Sequence, residues 1–333
     1  MTNSFRFPTR LSLAQTPTPL QPLDRISARY GGPRIWVKRD DLTGCSLSGN
    51  KIRKLEFVLA KALDEGCDTL ITCGGLQSNH CRATALLGAQ LGLRVCLLLR
   101  GESEQPPDGN YLLDQLAGAE IRTYPASVYQ AKQQELLDGW ARECRGQGRN
   151  PWVIPTGASD GHGAWGYVQA SQELSEDYTR HNISPEYVIS ASGSGGTLAG
   201  LHLGHRLYCP TTQVLGMAVC DDAEYFRTKA LADIESLCRL YSVSAPAGLG
   251  KPEVIDAYIG EGYAKAGREV FDTIRQLAST EGLVLDPVYT GKAFYGMLRE
   301  IALGRFQGCR DIVFVHTGGV FGLFPYREFF NQQ

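Results

Sequence analysis

Between residues 68 and 316 short apolar runs, bounded by glycine, proline and polar residues, alternate with stretches whose apolar residues recur at helical spacing. Residues 68–73, 94–99, 120–124 and 151–155 read as strands, and 79–91, 111–116 and 129–145 as the helices between them. After Gly157 the alternation resumes, with helices over 165–178 and 197–207 and strands over 187–191 and 213–219. Helical stretches over 223–241 and 263–280 flank a Gly/Pro-rich break at 245–252, and a strand over 311–316 runs into Thr317-Gly318-Gly319. Such alternation requires parallel sheets covered on both faces. No short repeat is present, which excludes a solenoid.

The start of the chain fits the same scheme. Pro8, Pro17, Pro19 and Pro22 make residues 5–23 an extended segment that wraps the surface. A strand over 34–39 follows, then a glycine-punctuated loop and a helix to Gly66. The expected architecture is α/β, with two open, mostly parallel twisted sheets in two lobes. Residues 1–51 and 165–333 form the larger lobe and 52–164 the smaller. In such sheets ligands bind at the carboxyl ends of the strands.

Composition narrows the partners. The 333 residues carry a formal net charge of −2, with 43% hydrophobic and 20% charged residues. That balance, with no Lys/Arg run, argues against a nucleic-acid surface. No apolar run is long enough to span a bilayer, and the first residues lack the apolar core of a signal peptide. The ten cysteines are scattered without a C-x-x-C pair, as buried thiols in a reducing compartment would be. A cytoplasmic protein with a small-molecule partner and no metal is expected.

Several strand ends carry chemistry. In Ser48-Gly49-Asn50-Lys51-Ile52-Arg53-Lys54-Leu55-Glu56 an amine sits between a glycine turn and a helix start. Rigid elements hold it on both sides, and a lowered pKa would make it a nucleophile toward an aldehyde. A solvated lysine in a first helical turn would satisfy the same stretch. Ser192-Gly193-Ser194-Gly195-Gly196-Thr197 links a strand to a helix. Its bare glycines and the helix N-terminus make a phosphate cradle, or simply a tight turn. Its spacing is neither G-x-G-x-x-G nor a P-loop, which favours one terminal phosphate over a nucleotide.

Gly74-Gly75-Leu76-Gln77-Ser78-Asn79-His80 places a hydroxyl, an amide and an imidazole at another helix start. Ser78 there is either a helix cap or a carboxylate holder. Tyr263 lies in a Gly-rich loop and Tyr289 in Asp286-Pro287-Val288-Tyr289-Thr290, so two phenols can face one cleft. Thr317 can cap a helix or bond a ring nitrogen. Together a Schiff-base lysine, a phosphate cradle and polar strand ends describe a site for pyridoxal 5′-phosphate.

These motifs, in this order over nearly the whole chain, resemble the 1-aminocyclopropane-1-carboxylate deaminase / D-cysteine desulfhydrase family. The resemblance implies the tryptophan synthase β-like fold, fold type II of the pyridoxal-phosphate enzymes, and a homodimer. It makes Lys51 the Schiff-base residue, puts Asn79 on the ring hydroxyl, and gives Gly193, Ser194, Gly195, Gly196 and Thr197 the phosphate. Ser78, with Asn79 and His80, then holds the substrate, and Tyr263 and Tyr289 face its β-carbon. Ring-opening members carry Glu after the second tyrosine and Leu in the His-x-Gly-Gly turn, where this chain has Thr290 and Thr317. That pattern implies β-elimination from D-cysteine to pyruvate, ammonia and sulfide, with Lys51 as base. The rivals are ring-opening deamination, sulfite elimination from L-cysteate and a non-catalytic phosphate-ligand binding protein. Sulfite loss requires a cationic pocket, and the stretches assigned to the cleft offer no arginine beyond Arg82, which follows the Asn79-His80-Cys81 turn.

Overall fold

A computed structural model describes residues 5–102 and 106–330. In chain order the elements are β1 (Leu20–Pro22), α1 (Asp24–Tyr30), β2 (Arg34–Lys38), α2 (Asn50–Asp64), β3 (Thr69–Gly75), α3 (Asn79–Gln90) and β4 (Arg94–Arg100). Then come α4 (Gly109–Leu116), β5 (Glu120–Tyr124), α5 (Ala126–Gly146), β6 (Pro151–Val153), α6 (Trp165–His181), β7 (Tyr187–Ser192) and α7 (Gly196–Tyr208). The chain continues through β8 (Gln213–Ala218), α8 (Ala223–Tyr241), β9 (Glu253–Ile255), α9 (Arg268–Glu281), α10 (Thr290–Ala302) and β10 (Asp311–Val315).

Two sheets result. The larger runs β1-β2-β10-β7-β8-β9 and the smaller β5-β4-β3-β6. Every pairing is parallel except β1 with β2. The strands are almost wholly apolar because helices cover both faces; β10, for example, is buried along its length. The α/β architecture with two mostly parallel sheets is the one read from the alternation.

Helix α2 is buried nearly all round, and this decides its role. Ile52, Leu55, Val58 and Leu59 join the core beside β3 and β4. Phe57 instead packs with Trp165 in the core of the larger sheet. Full burial of such a side chain contributes roughly 1.5–3 kcal/mol, so α2 is held by both cores. Its charged residues Arg53, Lys54 and Glu56 are buried too. Arg53 donates to Asp40 and Glu173, and Glu56 accepts from Arg10 and from the amides of Leu13 and Ala14. The Arg-Lys-Leu-Glu tail of the lysine motif thus anchors the helix and ties down the N-terminal arm, which is extended as anticipated.

Five local features differ from the sequence reading. The helix anticipated from 263 begins at Arg268, because Ala264 takes φ +60° and Gly267 precedes the first turn. Helix α1 and edge strand β9 fall on residues given no element in the sequence reading, directly after the extended segment 5–23 and the break 245–252. The segment Val320–Phe330 forms 3-10 turns after β10. Finally, α2 starts at Asn50, which brings Lys51 into its first turn.

Candidate active site

The carboxyl ends of both sheets meet at a cleft of about 650 Å³. Its walls include Lys51, Ser78, Asn79, His80, Gly193, Ser194, Gly195, Thr197, Tyr263, Tyr289 and Thr317. Residues more than 260 positions apart in sequence are therefore brought together. Two expected members are not on its wall. The Gly196 amide donates to Ser159 Oγ behind the cradle, at 3.1 Å. Thr290 turns its hydroxyl to Asp286 Oδ1, at 2.7 Å, and accepts from the Asp286 amide at 2.9 Å.

Lys51 is fixed by backbone. Gly49 has φ +112°, and a Cβ there would lie 2.7 Å from the Thr317 carbonyl oxygen. The Asn50 amide donates to that same oxygen at 3.1 Å. The start of α2 is thus fastened to the end of β10, which only a glycine at 49 permits. Burial lowers the Lys51 pKa to about 8. Unlike an exposed lysine, it holds an appreciable neutral fraction near neutral pH.

The cradle is built from several segments. Lys54 Nζ donates to the Gly157 carbonyl at 2.6 Å and to Ser159 Oγ at 3.0 Å. Ser159 Oγ in turn donates to Ser194 Oγ at 2.8 Å. Lys229 Nζ donates to the Ser159 carbonyl at 2.9 Å and pairs with Asp233. Asn50 Nδ2 donates to Thr197 Oγ1 at 3.0 Å. At Gly193 a Cβ would come within 2.7 Å of the Tyr289 ring, and at Gly195 within 2.8 Å of Lys229. The turn must therefore stay bare to form.

Opposite the cradle, Ser78 caps α3, its Oγ accepting from the Cys81 amide at 3.2 Å. That leaves its proton for a ligand. Asn79 Oδ1 accepts from Asn110 Nδ2 at 3.0 Å, which turns the Asn79 NH2 the other way. Thr72 gives its hydroxyl proton to the Ile154 carbonyl, so its oxygen accepts from His80 Nε2 at 2.8 Å. Burial, then the nearby lysines, lower the His80 pKa well below the usual imidazole value, and the ring is neutral with Nδ1 bare.

Tyr263 and Tyr289 join through their hydroxyls at 2.6 Å. Burial pushes the Tyr263 phenol up to about 12 and the Tyr289 phenol well above its ordinary value. Both stay protonated.

Sequence reasoning passed over Asn50, Lys54, Ser159, Lys229, Asn110 and Arg100. Asn50 and Lys54 stood inside the quoted lysine motif without a role. Arg100 lines the cleft as the last residue of β4. The expected strand stopped at Leu99, where the apolar run ends. Arg82 is buried instead, donating to the Ser48 carbonyl at 2.6 Å under the Phe321 ring.

The sequence pattern defining the pyridoxal-phosphate dependent enzymes matches residues 11–318. A bifunctional D-cysteine desulfhydrase/1-aminocyclopropane-1-carboxylate deaminase of Arabidopsis thaliana is 38% identical, covering 94% of this chain and 79% of its own. A D-cysteine desulfhydrase of Klebsiella pneumoniae is 39% identical over 97% of this chain and 98% of its own. The chain belongs to the ACC deaminase / D-cysteine desulfhydrase family of pyridoxal-phosphate dependent enzymes. A crystal structure of an ACC deaminase homologue superposes with TM-score 0.87 at 39% identity, over 96% of this chain and 94% of that one. A threonine deaminase structure shares the fold alone, with TM-score 0.66 at 20% identity.

The residues present fit this family's cofactor. The bare turn at the start of α7, with Lys54 and Lys229 behind it, suits a phosphate. A half-buried amine of lowered pKa on the same cleft suits the aldehyde. Membership in the enzyme family sets aside the rival of a binding protein.

Proposed function

We propose that this enzyme eliminates the thiol of D-cysteine, giving pyruvate, ammonia and hydrogen sulfide. Bound pyridoxal phosphate supplies the aldehyde that condenses with an amine and the conjugated ring that draws electrons from the α-carbon. Gly193, Ser194, Gly195 and Thr197 hold its phosphate, with Gly196 shaping the turn from behind. The Asn79 NH2 would hold the ring hydroxyl, and Thr317 would supply a hydroxyl toward the ring nitrogen.

The chain's own groups complete the reaction. Lys51 serves as the base for the α-proton, for which a pKa of about 8 is well matched to neutral pH. Ser78 donates its hydroxyl to the substrate carboxylate, beside Asn79 and His80. The protonated Tyr263–Tyr289 pair gives a hydrogen bond to the departing sulfur, which leaves with the electron pair of the carbon–sulfur bond. Cysteine, its α-proton included, and one water account for all the atoms of pyruvate, ammonium and hydrogen sulfide.

One observation carries the choice of substrate. Thr290, directly after Tyr289, is spent on Asp286, so a hydroxyl, that of Thr317, is the side chain presented at the end of β10. A hydroxyl leaves the ring nitrogen nearer neutral than a carboxylate would. The weaker electron sink suffices where an α-proton is removed and a thiol leaves. The names of the bacterial relatives agree with this reading.

The Arabidopsis relative's bifunctional name favours a second activity, opening of the aminocyclopropane ring. Incubation with both compounds decides between them, because D-cysteine releases sulfide and pyruvate whereas the cyclopropane releases 2-oxobutyrate. D-cysteine left unconsumed by cofactor-loaded enzyme would sink the first reading. Lys51→Ala should abolish the visible absorbance of lysine-bound cofactor, and retention of that absorbance would remove Lys51 from its role.

The reading extends to the whole enzyme as a cytoplasmic homodimer with lobes divided at residues 51/52 and 164/165. Ten free cysteines support a reducing compartment. No helix of the described residues is long and apolar enough to cross a membrane. The two cores that share α2 support the division, and light scattering measures the oligomer.

A further inference from the structure

Lys292 stands in the first turn of α10, just beyond Tyr289, and its side chain is fully buried. Its ammonium donates to the carbonyls of Ile259 and Gly262, both at 2.7 Å, and to that of Val219 at 3.3 Å. Three protons therefore meet three backbone oxygens, and a neutral amine, with only two protons, could not satisfy them all. Among the described residues its partners are these oxygens and no carboxylate, whereas Lys38 and Lys229 each meet an aspartate.

The three carbonyls belong to segments that converge on the two phenols. Val219 follows β8, and its amide donates to the Ser192 carbonyl at 3.1 Å, where the phosphate turn begins. Ile259 and Gly262 lie in the loop between β9 and α9, and Gly262 directly precedes Tyr263. In that loop Gly262 and Ala264 take φ of +117° and +60°, so Tyr263 is flanked by backbone that a chain adopts only when it is held there. Two anchors hold it. The Tyr326 hydroxyl donates to the Ala264 carbonyl at 2.9 Å, and Lys292 takes the Gly262 carbonyl on the other side of Tyr263. Tyr289 stands at the start of the helix that carries Lys292, so one rigid element presents one phenol and fixes the loop of the other. The two hydroxyls then meet at 2.6 Å.

Buried carbonyl oxygens aimed at one point repel one another, and each left without a partner costs the desolvation of a polar group. Such a cage requires a compact positive charge, and carbonyl oxygens accept an alkali cation as they accept an ammonium. We propose that Lys292 is a positioning residue that serves as a tethered monovalent cation, filling a cage of three backbone carbonyls so that Tyr263 meets Tyr289. The enzyme consequently needs no free cation for this task. The effect on rate rests on the reading that the tyrosine pair serves the departing sulfur; the cage itself does not.

The test uses cofactor-loaded wild type, Lys292→Ala and Lys292→Met in buffers brought to one ionic strength with potassium, lithium or choline chloride. Pyruvate formation from D-cysteine gives kcat and KM, cofactor absorbance reports loading, and the melting temperature reports the cage without substrate. Lys292→Ala removes the ammonium and leaves room for an ion. In choline its kcat should fall by about 10- to 100-fold, the size expected on losing charge-assisted hydrogen bonds, with KM little changed. Potassium should recover most of that loss and raise the melting temperature, lithium should do less, and choline neither. Lys292→Met fills the same space without charge, so potassium should leave it unrecovered, and wild type should be indifferent to the cation.

A merely structural lysine predicts equal damage to both variants in every salt, and that result overturns the proposal. A wild type that itself depends on potassium does so too, as does a Lys292→Ala chain that fails to fold in potassium, since the ion would rebuild the cage. If potassium raises the melting temperature of Lys292→Ala without restoring kcat, the positioning role is refuted. If wild type consumes D-cysteine and potassium changes neither property of Lys292→Ala, the cage is refuted and the desulfhydrase reading stands. If wild type leaves D-cysteine unconsumed while potassium still raises the melting temperature of Lys292→Ala alone, the cage stands and the desulfhydrase reading falls.

Discussion

Lys51 and Lys54 lie one helical turn apart on α2 and have opposite tasks. Lys54 is tied to the Gly157 carbonyl and Ser159, as a fixed support for the cradle. Lys51 faces the open cleft. Burial lowers its pKa to about 8, and burial followed by Lys51 itself lowers that of Lys54 well below the ordinary lysine value. Because condensation requires the neutral amine, roughly a tenth of Lys51 is competent at pH 7. The rate at which apoenzyme regains visible absorbance with pyridoxal phosphate should therefore rise about tenfold per pH unit below 7 and level off above 8. A rate still climbing at pH 10 would show that burial leaves Lys51 an ordinary lysine.

At the scale of elements, the junction of α2 with β10 sets the site. Gly49 and Gly318 meet backbone to backbone, since a Cβ on Gly318 would lie 2.7 Å from the Gly49 Cα. Gly49→Ala adds both a strained φ and a clash with the Thr317 carbonyl oxygen. It should lower stability by about 2 kcal/mol or more and weaken cofactor binding. Gly66→Ala is the control, because Gly66 has φ +69° but open space where a Cβ would go. Equal losses of cofactor affinity in the two variants would remove the junction from the argument. The strand ends that carry this site were legible because glycines and polar residues interrupt apolar runs there. Other features were not. Three-residue β9 is an edge strand held by β8 rather than by its own pattern. The delayed start of α9 depends on the left-handed turn at Ala264, which no residue type announces. Arg100 escaped notice because a charged residue closing an apolar strand resembles the start of a loop.

For the molecule as a whole, a buried ion network ties α2 to β2 and α6 beside the larger sheet. Lys38 on β2 meets Asp177 and Glu173 on α6, at 2.5 and 2.6 Å. Arg53 on α2 meets Asp40 and Glu173 at 2.8 and 2.9 Å. Tyr167 on α6 donates to Asp40 at 2.6 Å. Burial pushes the Glu173 carboxyl up, but Arg53 and Lys38 outweigh it and hold the pKa at about 2, against 4.5 for the free side chain. Between those values the unfolded chain binds the proton and the folded one does not, so stability falls as pH falls. The contribution is complete above pH 4.5 and disappears as the pH passes down through about 2. By linkage it amounts to about 3 kcal/mol. Glu173→Gln should destabilise the enzyme at pH 7 by a comparable or larger amount, about 3–5 kcal/mol, because Arg53 and Lys38 lose a shared buried partner. Urea unfolding of wild type and variant at pH 7, 4 and 2.5 measures the gap. It should narrow as the pH drops, because the carboxylate of the unfolded wild type takes up a proton below pH 4.5 that the folded one resists down to about 2. A gap that stays constant from pH 7 to 2.5 would mean that Glu173 contributes by packing, and that α2 is held beside the larger sheet by its apolar faces instead.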